Sequence, residues 1–576
     1  MTTVEERFLP EECWECILKR FLNECDDYNR YLQPLSILSK QFLSVTDRFR
    51  LYLIISNETI PLLPRLLQRC TNLTSLNLTR FQGDLDRLLC QISCFPLNFT
   101  SLNLSNQHTI PAHGLREFSK KITTLTSLTC SNIVSLHNND LVLISDCFPF
   151  LEELDLSNHK NIHGKVNFMF LVLPKLRKVN LSGCYSINDR MLLHLCKNCE
   201  FLQEIVIPNN LFVNPNGIAF AIRQRPGLRS LTFSGTPGRV ILVTNFPQHF
   251  IDSLVSLKGL TCLELSCLHI PDDLLYSIAM EGLPLKRLVL GHCTGFTSDG
   301  IHHLLSKCQC IQHLDLQKAT FQDSFVYHKL SLCLGNLVSI NLSHCYHLTE
   351  ITLFTLVGRC PLLNEIYMEN TCIGQMVLQL HKYSSLLNFV INPQMKSLHL
   401  ASNTLLYDNI NNIFASMCPN LELVDLSNCV CISKGIVQVL RHCKIMHLNL
   451  SSCPKVNLLG MNFEVPKLEV LNLSMTNIDD KTLYVISKNC SGLLQLDLEK
   501  CYNITEKGVK QVVKKCTRLK EINLRHCCKV STDVALWMEM VLSSLSLRKI
   551  KTPPHFCPSH RKWKPLLNHG HGCILC

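Results

Sequence analysis

The chain has 576 residues, of which 46% are hydrophobic and 18% charged, with 33 cysteines and a formal net charge of +11. The hydrophobic share is that of a folded chain, and the length accommodates either three or four ordinary domains or one repeat array growing along a single axis. No run of about 18 apolar residues marks a membrane span, and the start, Met1 to Arg7, lacks the basic and then apolar profile of a secretory signal. These features point to a cytoplasmic and/or nuclear chain, a compartment in which cysteines stay reduced.

Two short amphipathic helices come first. Pro10 begins one at a position where a missing N–H costs nothing, and Trp14, Ile17, Leu18 and Phe21 then form an apolar stripe. Pro34 begins the other, with Leu35, Leu38, Phe42 and Val45 as its stripe. So small a unit buries little and needs a neighbour or a partner. Read by pattern alone, it is either a helical cap or a docking element.

From residue 73 the sequence repeats. The pattern apolar-x-x-apolar-x-apolar starts at Leu73, Phe99, Leu125, Leu151, Leu176, Leu202, Leu228, Leu260 and Leu285. It starts again at Ile311, Leu337, Leu363, Met395, Leu421, Ile445, Leu468, Leu493 and Leu519. A period of 20–29 residues with this core is a leucine-rich repeat. Leu288 and Leu290 fall on one side of a short strand, and Arg287, Val289 and Gly291 on the other. Ser298 to Lys307 predicts a returning helix, with Ile301, Leu304 and Leu305 at helical spacing. One unit cannot bury its own face, so neighbours stack. At about 4.8 Å per strand the inner wall runs roughly 85 Å along its arc.

The cysteines follow the same period. Cys184, Cys293, Cys345, Cys429, Cys453, Cys501 and Cys527 each lie eight residues after a start. Cys70, Cys199, Cys308, Cys360, Cys418, Cys490 and Cys516 each lie three residues before one. A thiol is small, apolar and a weak donor, which suits a crowded turn under the stack.

This repeat, with cysteine in those two slots and turns such as Ile504-Thr505-Glu506-Lys507-Gly508-Val509, resembles the cysteine-containing class of leucine-rich repeat. Leu9-Pro10-Glu11-Glu12 followed by Ile17-Leu18, then Leu35-Ser36 to Ser39-Lys40-Gln41-Phe42-Leu43, resembles the F-box of plant-type F-box/leucine-rich-repeat proteins. The link Asp26 to Leu32, together with Ser39 and Phe42, departs from the commoner F-box pattern. The resemblance implies an α/β chain: a short all-α F-box, then a right-handed leucine-rich-repeat solenoid (horseshoe) with parallel inner strands and outer helices. It also implies a substrate receptor whose F-box docks on a Skp-type adaptor, and through it on a cullin-RING scaffold, to form an SCF-type ubiquitin ligase. Leu9, Pro10, Trp14, Ile17, Leu18, Leu38, Lys40 and Phe42 would form or support the adaptor site. The expected layout is F-box 1–50, linker and cap helix 51–72, repeats 73–544 and tail 545–576.

An unknown protein target would bind the strand face. There the fourth residue after each start is Asn or Asp in most repeats, as in Asn77, Asn103, Asp155, Asn180, Asp315 and Asn341. Departures from that uniform column mark the target site: Glu365, Tyr367 and Glu369, then His399 and Ala401, with Arg287 and His313 as a second patch. A 32-residue spacing between the starts Leu363 and Met395 adds a loop within 374–393. Loops on a rigid scaffold carry binding, and a tyrosine among charges is an anchor.

Residues 491–576 hold 15 Lys or Arg against 6 Asp or Glu, without the spacing of a zinc finger, RRM or helix-turn-helix, so no nucleic-acid partner is expected. The final Cys573-Ile574-Leu575-Cys576 makes Cys573 a candidate prenylation site, the one route to a membrane. Cys557, His560, His569, His571, Cys573 and Cys576 have a weakly zinc-like spacing, but no metal and no cofactor is expected. With no P-loop, GxGxxG or HExxH, the chain is expected to be non-catalytic. Two rivals remain open: a plain interaction scaffold and an extracellular repeat receptor. The receptor's support is six sequons at one repeat phase, which read better as a motif Asn beside a motif Ser or Thr.

Overall fold

Every repeat start becomes a short strand because its alternating apolar residues have one buried side available. In the computed structural model, which describes residues 13–14, 16–18, 40–159, 171–184, 187–208, 212–235, 246–375, 390–530, 546–553 and 574–575, these strands pair only with strands of neighbouring repeats. The chain divides into two units, Met1–Glu264 and Leu265–Cys576. In the first, parallel pairing runs from Tyr52–Ser56 to Ser230–Ser234, with Leu76 opposite Leu102 and Leu102 opposite Leu128. In the second it runs from Arg287–Val289 to Lys549–Lys551, with Leu288 opposite Leu314 and Leu314 opposite Ile340. Parallel strands need crossovers, and these are helices such as Ser298–Lys307, Asp480–Asn489 and Glu506–Lys515. Both units are therefore α/β leucine-rich-repeat arrays.

Packing follows the period. Leu288, Leu314, Ile340, Ile366 and Leu398 are all at most 2% exposed, as are the helix residues Ile301, Leu304 and Leu305. Each side chain buried this way contributes about 1.5–3 kcal/mol. Helix starts are pinned to the preceding repeat. Thr297 accepts the Gly300 N–H at 3.2 Å while its own N–H and hydroxyl donate to Asp272 at 2.8 and 2.6 Å. Thr505 donates to Asp480 in the same way, at 2.8 and 2.6 Å. Gly508 leaves room for that aspartate, since a Cβ there would sit 2.4 Å from Asp480 Oδ1.

Both cysteine slots have a physical role. All seven thiols eight residues after a start donate to a carbonyl of the previous repeat. Examples are Cys184 to Leu156 at 2.9 Å, Cys293 to Leu265 at 3.0 Å and Cys527 to Leu498 at 3.0 Å. In some repeats without that cysteine another donor serves: Gln107 to Leu78 at 2.9 Å, Asn403 to Met368 at 2.8 Å, and His159, with ring nitrogens 2.9 and 3.0 Å from the Cys130 and Ile133 oxygens. The cysteines three residues before a start are helix C-caps, among them Cys199, Cys360 and Cys490.

Most of the described turns after a strand contain one left-handed residue, seven positions after the start. Asn106, Asn132, His292, Lys318, His344, Lys500 and His526 have φ between 55° and 66°. Such a conformation costs a non-glycine residue about 1–2 kcal/mol. It turns the N–H toward the next repeat, as in His292 to Gln317 at 2.9 Å and Lys318 to Ser343 at 3.0 Å.

Two expected boundaries are corrected. Segment 51–72 is no mere linker with a cap helix: Tyr52–Ser56 pairs in parallel with Ser75–Arg80, setting Leu53 opposite Leu76, and the helix Leu63–Arg69 follows. Its nearly continuous Tyr52-Leu53-Ile54-Ile55 lacks the Asn of the motif, which hid it. Likewise, the expected tail contains Lys549–Lys551, paired with Glu521–Asn523, and Ile574–Leu575, paired in turn with it. Lysines in the motif positions masked that repeat.

Burial pushes the thiols of Cys293, Cys345 and Cys360 up to about 12 and that of Cys184 to about 11. The thiolate is the reactive form. Brief alkylation of the folded protein at pH 8 should therefore mark the exposed Cys94, Cys310 and Cys528 and spare these four. Peptide mass spectrometry reads the result, and rapid labelling of Cys345 would contradict the packing.

Candidate functional site

The uniform Asn/Asp column is there for the backbone. Asn103 Oδ1 accepts the Ser105 N–H at 2.9 Å, Asp315 Oδ1 that of Gln317 at 2.9 Å, and Asn341 Oδ1 that of Ser343 at 3.0 Å. Neighbours join sideways: Asn341 Nδ2 donates to Asp315 at 2.9 Å and Asn449 Nδ2 to Asp425 at 3.1 Å. These side chains close strand ends and tie repeats together, so they have little left to offer a ligand. The sequons fall on this column because the same Asn holds the N–H of the Ser or Thr two residues on.

Tyr367 and His399 break the column side by side. Their strands pair in register, Tyr367 opposite His399, and the rings stack at 4.1 Å between centroids with 16° between planes. Tyr367 Oη donates to Glu365 Oε1 at 2.8 Å, and Ser339 Oγ donates to Glu365 Oε2 at 3.1 Å. His399 Nε2 stands 3.9 Å from Glu365 Oε1, an electrostatic contact too long for a hydrogen bond. With no Asn at 367, the Glu369 N–H donates to Ser343 Oγ at 3.2 Å, so the backbone stays satisfied. Burial, then the Glu365 hydrogen bond and the Glu365 and Glu369 charges, push the Tyr367 phenol up to about 12. It is therefore a neutral donor under physiological conditions. The Glu365 side chain is 34% exposed and that of His399 16%, so the patch is rigid yet open to a partner.

Arg287 and His313 lie on the same strand face, in register with Ser339 and then Glu365. Burial, then the Arg287 charge, lowers the His313 pKa, and Glu365 opposes the shift. Five of the six residues expected to hold a target thus share one face of five consecutive strands, about 19 Å across, and Glu369 lies in the turn just after the strand of Glu365 and Tyr367. The loop of the 32-residue spacing lies outside the described residues over 376–389, but both of its stems are described. Gly374, at φ +103°, donates its N–H to Glu350 at 2.8 Å, and a Cβ there would meet the Leu405 oxygen at 1.8 Å. Asn392 is buried and donates to the Val357 and Cys360 oxygens at 3.2 and 3.1 Å. Sequence reasoning missed Ser339 and Ser343, which look like ordinary motif residues and show their role only across strands.

At the N-terminus the helical residues divide in two. Leu18 and Val45 are buried with Trp14 and Phe49 against them, and the Trp14 and Phe42 rings lie 4.7 Å apart. Ile17 is 48% exposed. Trp14, Leu18 and Phe42 thus hold the two helical segments together, and Ile17 is left at the surface. Lys40 begins the helix Lys40–Arg48. Asp47 on that helix pairs with Arg69, and Asn72 Nδ2 donates to the Arg48 oxygen at 2.8 Å, which docks the helix on the first repeat. Leu9, Pro10, Leu38 and Cys573 lie outside the described residues, as do Cys557, His560, His569, His571 and Cys576 of the zinc-like spacing. Among the described residues no His/Cys/Asp/Glu group is arranged for a metal, and no helix is long and apolar enough to cross a membrane.

No family model matches the chain. A Caenorhabditis elegans protein, EEED8.10, whose name proposes RNA binding, is 24% identical over 263 residues, covering 45% of this chain and 34% of its own length. The chain thus spans about a third of that relative. Among solved structures, a chain of the yeast Rad7–Elc1 complex is 13% identical with a TM-score of 0.38, covering 76% of this chain and 86% of that one. A chain of the TLR13–ssRNA13 complex is 16% identical with a TM-score of 0.45, covering 85% and 79%. The assignment of the fold rests on the strand register and crossovers described above.

Replacing Tyr367 by Phe keeps the stack and removes the bond to Glu365. A hydrogen bond to a charged group at a half-open site contributes about 1 kcal/mol, so amide exchange over 365–369 should speed up about fivefold. Unchanged exchange would mean that Glu365 does not hold the ring.

Proposed function

We propose that this chain is a non-catalytic substrate receptor: its N-terminal helices dock on a Skp-type adaptor of a cullin-RING ubiquitin ligase, and its strand face holds a protein target. The observation that carries this reading is the Tyr367–His399–Glu365 patch. It is where an otherwise self-satisfied face offers aromatic surface and charge instead of repeat chemistry. Aromatic residues in rigid surroundings are the usual energetic centres of protein interfaces. Exposed Ile17, beside a small two-helix core, supports the adaptor half of the proposal. The F-box resemblance given above supports it further, and cytoplasmic and/or nuclear residence goes with the same reading.

Two variants separate the halves. Ile17→Asp should abolish co-purification of a Skp-type adaptor and leave the repeats folded, since a charge forced into an apolar contact costs several kcal/mol. Tyr367→Ala with His399→Ala should keep the adaptor and weaken target binding by about 2 kcal/mol, roughly 30-fold. Quantitative mass spectrometry of proteins captured with each variant measures both. Undiminished adaptor recovery with Ile17→Asp sinks the docking half, and an unchanged captured set with the double variant moves the target site elsewhere.

A further inference from the structure

Helices Asp480–Asn489 and Glu506–Lys515 carry a positive outer face that the receptor reading does not use. Lys481, Tyr484 and Lys488 are exposed on the first, and Lys507, Lys514 and Lys515 on the second. On each helix two lysines are seven residues apart, hence on one side and about 10 Å apart along the axis. Lys515 Nζ lies 4.7 Å from the centre of the Tyr484 ring, which joins the two helices into one surface. None of these five lysines forms an ion pair with another described residue.

The excess is not balanced locally. Residues 480–520 contain nine Lys or Arg and four Asp or Glu. Of the four acids, Asp480 is held by Thr505, while Asp497 and Glu499 accept from Asn523 at 2.9 and 3.2 Å. Only Glu506 remains on the helix face. Nor is the charge a property of the repeat: the helix Asp272–Glu281 has three acidic residues and no Lys or Arg.

We propose that this face binds single-stranded nucleic acid. Regularly placed ammonium groups act as point charges that suit the evenly spaced charges of a phosphate chain. The ring of Tyr484, 47% exposed, offers a stacking surface for a base. Insertion into a membrane would need exposed apolar residues, but Leu483, Ile486, Val509 and Val512 of these helices are buried in the repeat core.

The test uses the full chain and a fluorescent single-stranded RNA of about 20 nucleotides, followed by anisotropy. The parent should bind, with log affinity falling against log salt at a slope of about −3 for four phosphate contacts. Lys481, Lys488, Lys507 and Lys514 changed together to Glu should weaken binding at least about tenfold and flatten that slope. The same four changed to Gln, a milder set that guards against misfolding, should fall between. Tyr484→Ala should cost about fivefold or more. Lys120→Glu with Lys121→Glu, on another helix, should change nothing. The proposal is overturned if the parent does not bind the RNA at low salt, or if the fourfold Glu variant binds as well as the parent. It is equally overturned if Tyr484→Ala is without effect, or if polyglutamate or phosphatidylserine vesicles displace the RNA at equal charge.

Discussion

No repeat in this chain can satisfy its own backbone, and everything else follows from that constraint. A three-residue strand has polar groups on both edges, and burying them unpaired costs more than one repeat's apolar residues return. Each unit must therefore lie in register between two others. The turn residue with positive φ extends the ladder past the strand, donating its N–H to the next repeat. In many repeats a side-chain donor one residue later, most often cysteine, reaches back to the repeat before. The thiols are packing parts with a single weak hydrogen bond, and their burial keeps them protonated.

Such a scaffold leaves few positions free on its strand face. The Asn and Asp of the strand face close strand ends, and the Thr and Asp at helix starts hold one another. On the strand face, binding chemistry enters where a repeat gives up a motif residue and a neighbour covers the loss. That exchange is visible at Tyr367: its ring replaces an Asn, and Ser343 of the preceding repeat takes over the Glu369 N–H. The stack on His399 and the bond to Glu365 then fix the ring. This arrangement makes the patch rigid before any partner arrives, so little side-chain entropy is lost on binding.

Charge is distributed by a different logic. Outer helix faces are not constrained by the ladder, so successive repeats carry acidic, mixed or basic surfaces without cost to the fold. The acidic helix Asp272–Glu281 and the lysine-rich helix Glu506–Lys515 pack their apolar sides in the same way.

The sequence by itself determined the repeat, its phase, the buried face of strand and helix, and the two cysteine slots. All of these depend on spacing along the chain, which a period of about 26 residues displays openly. It also singled out Tyr367, His399 and Glu365 as departures from the column. Repeats whose strands lost the motif, Tyr52–Ser56 and Lys549–Lys551, were hidden because only partner strands reveal them. Only the tertiary structure decided that Tyr367 and His399 stack, that Ser339 and Ser343 support them, that Ile17 is exposed while Leu18 is buried, and that Lys515 reaches Tyr484. These are contacts between residues that sequence separation leaves unrelated, and they exist only because the backbone ladder holds neighbouring repeats in register.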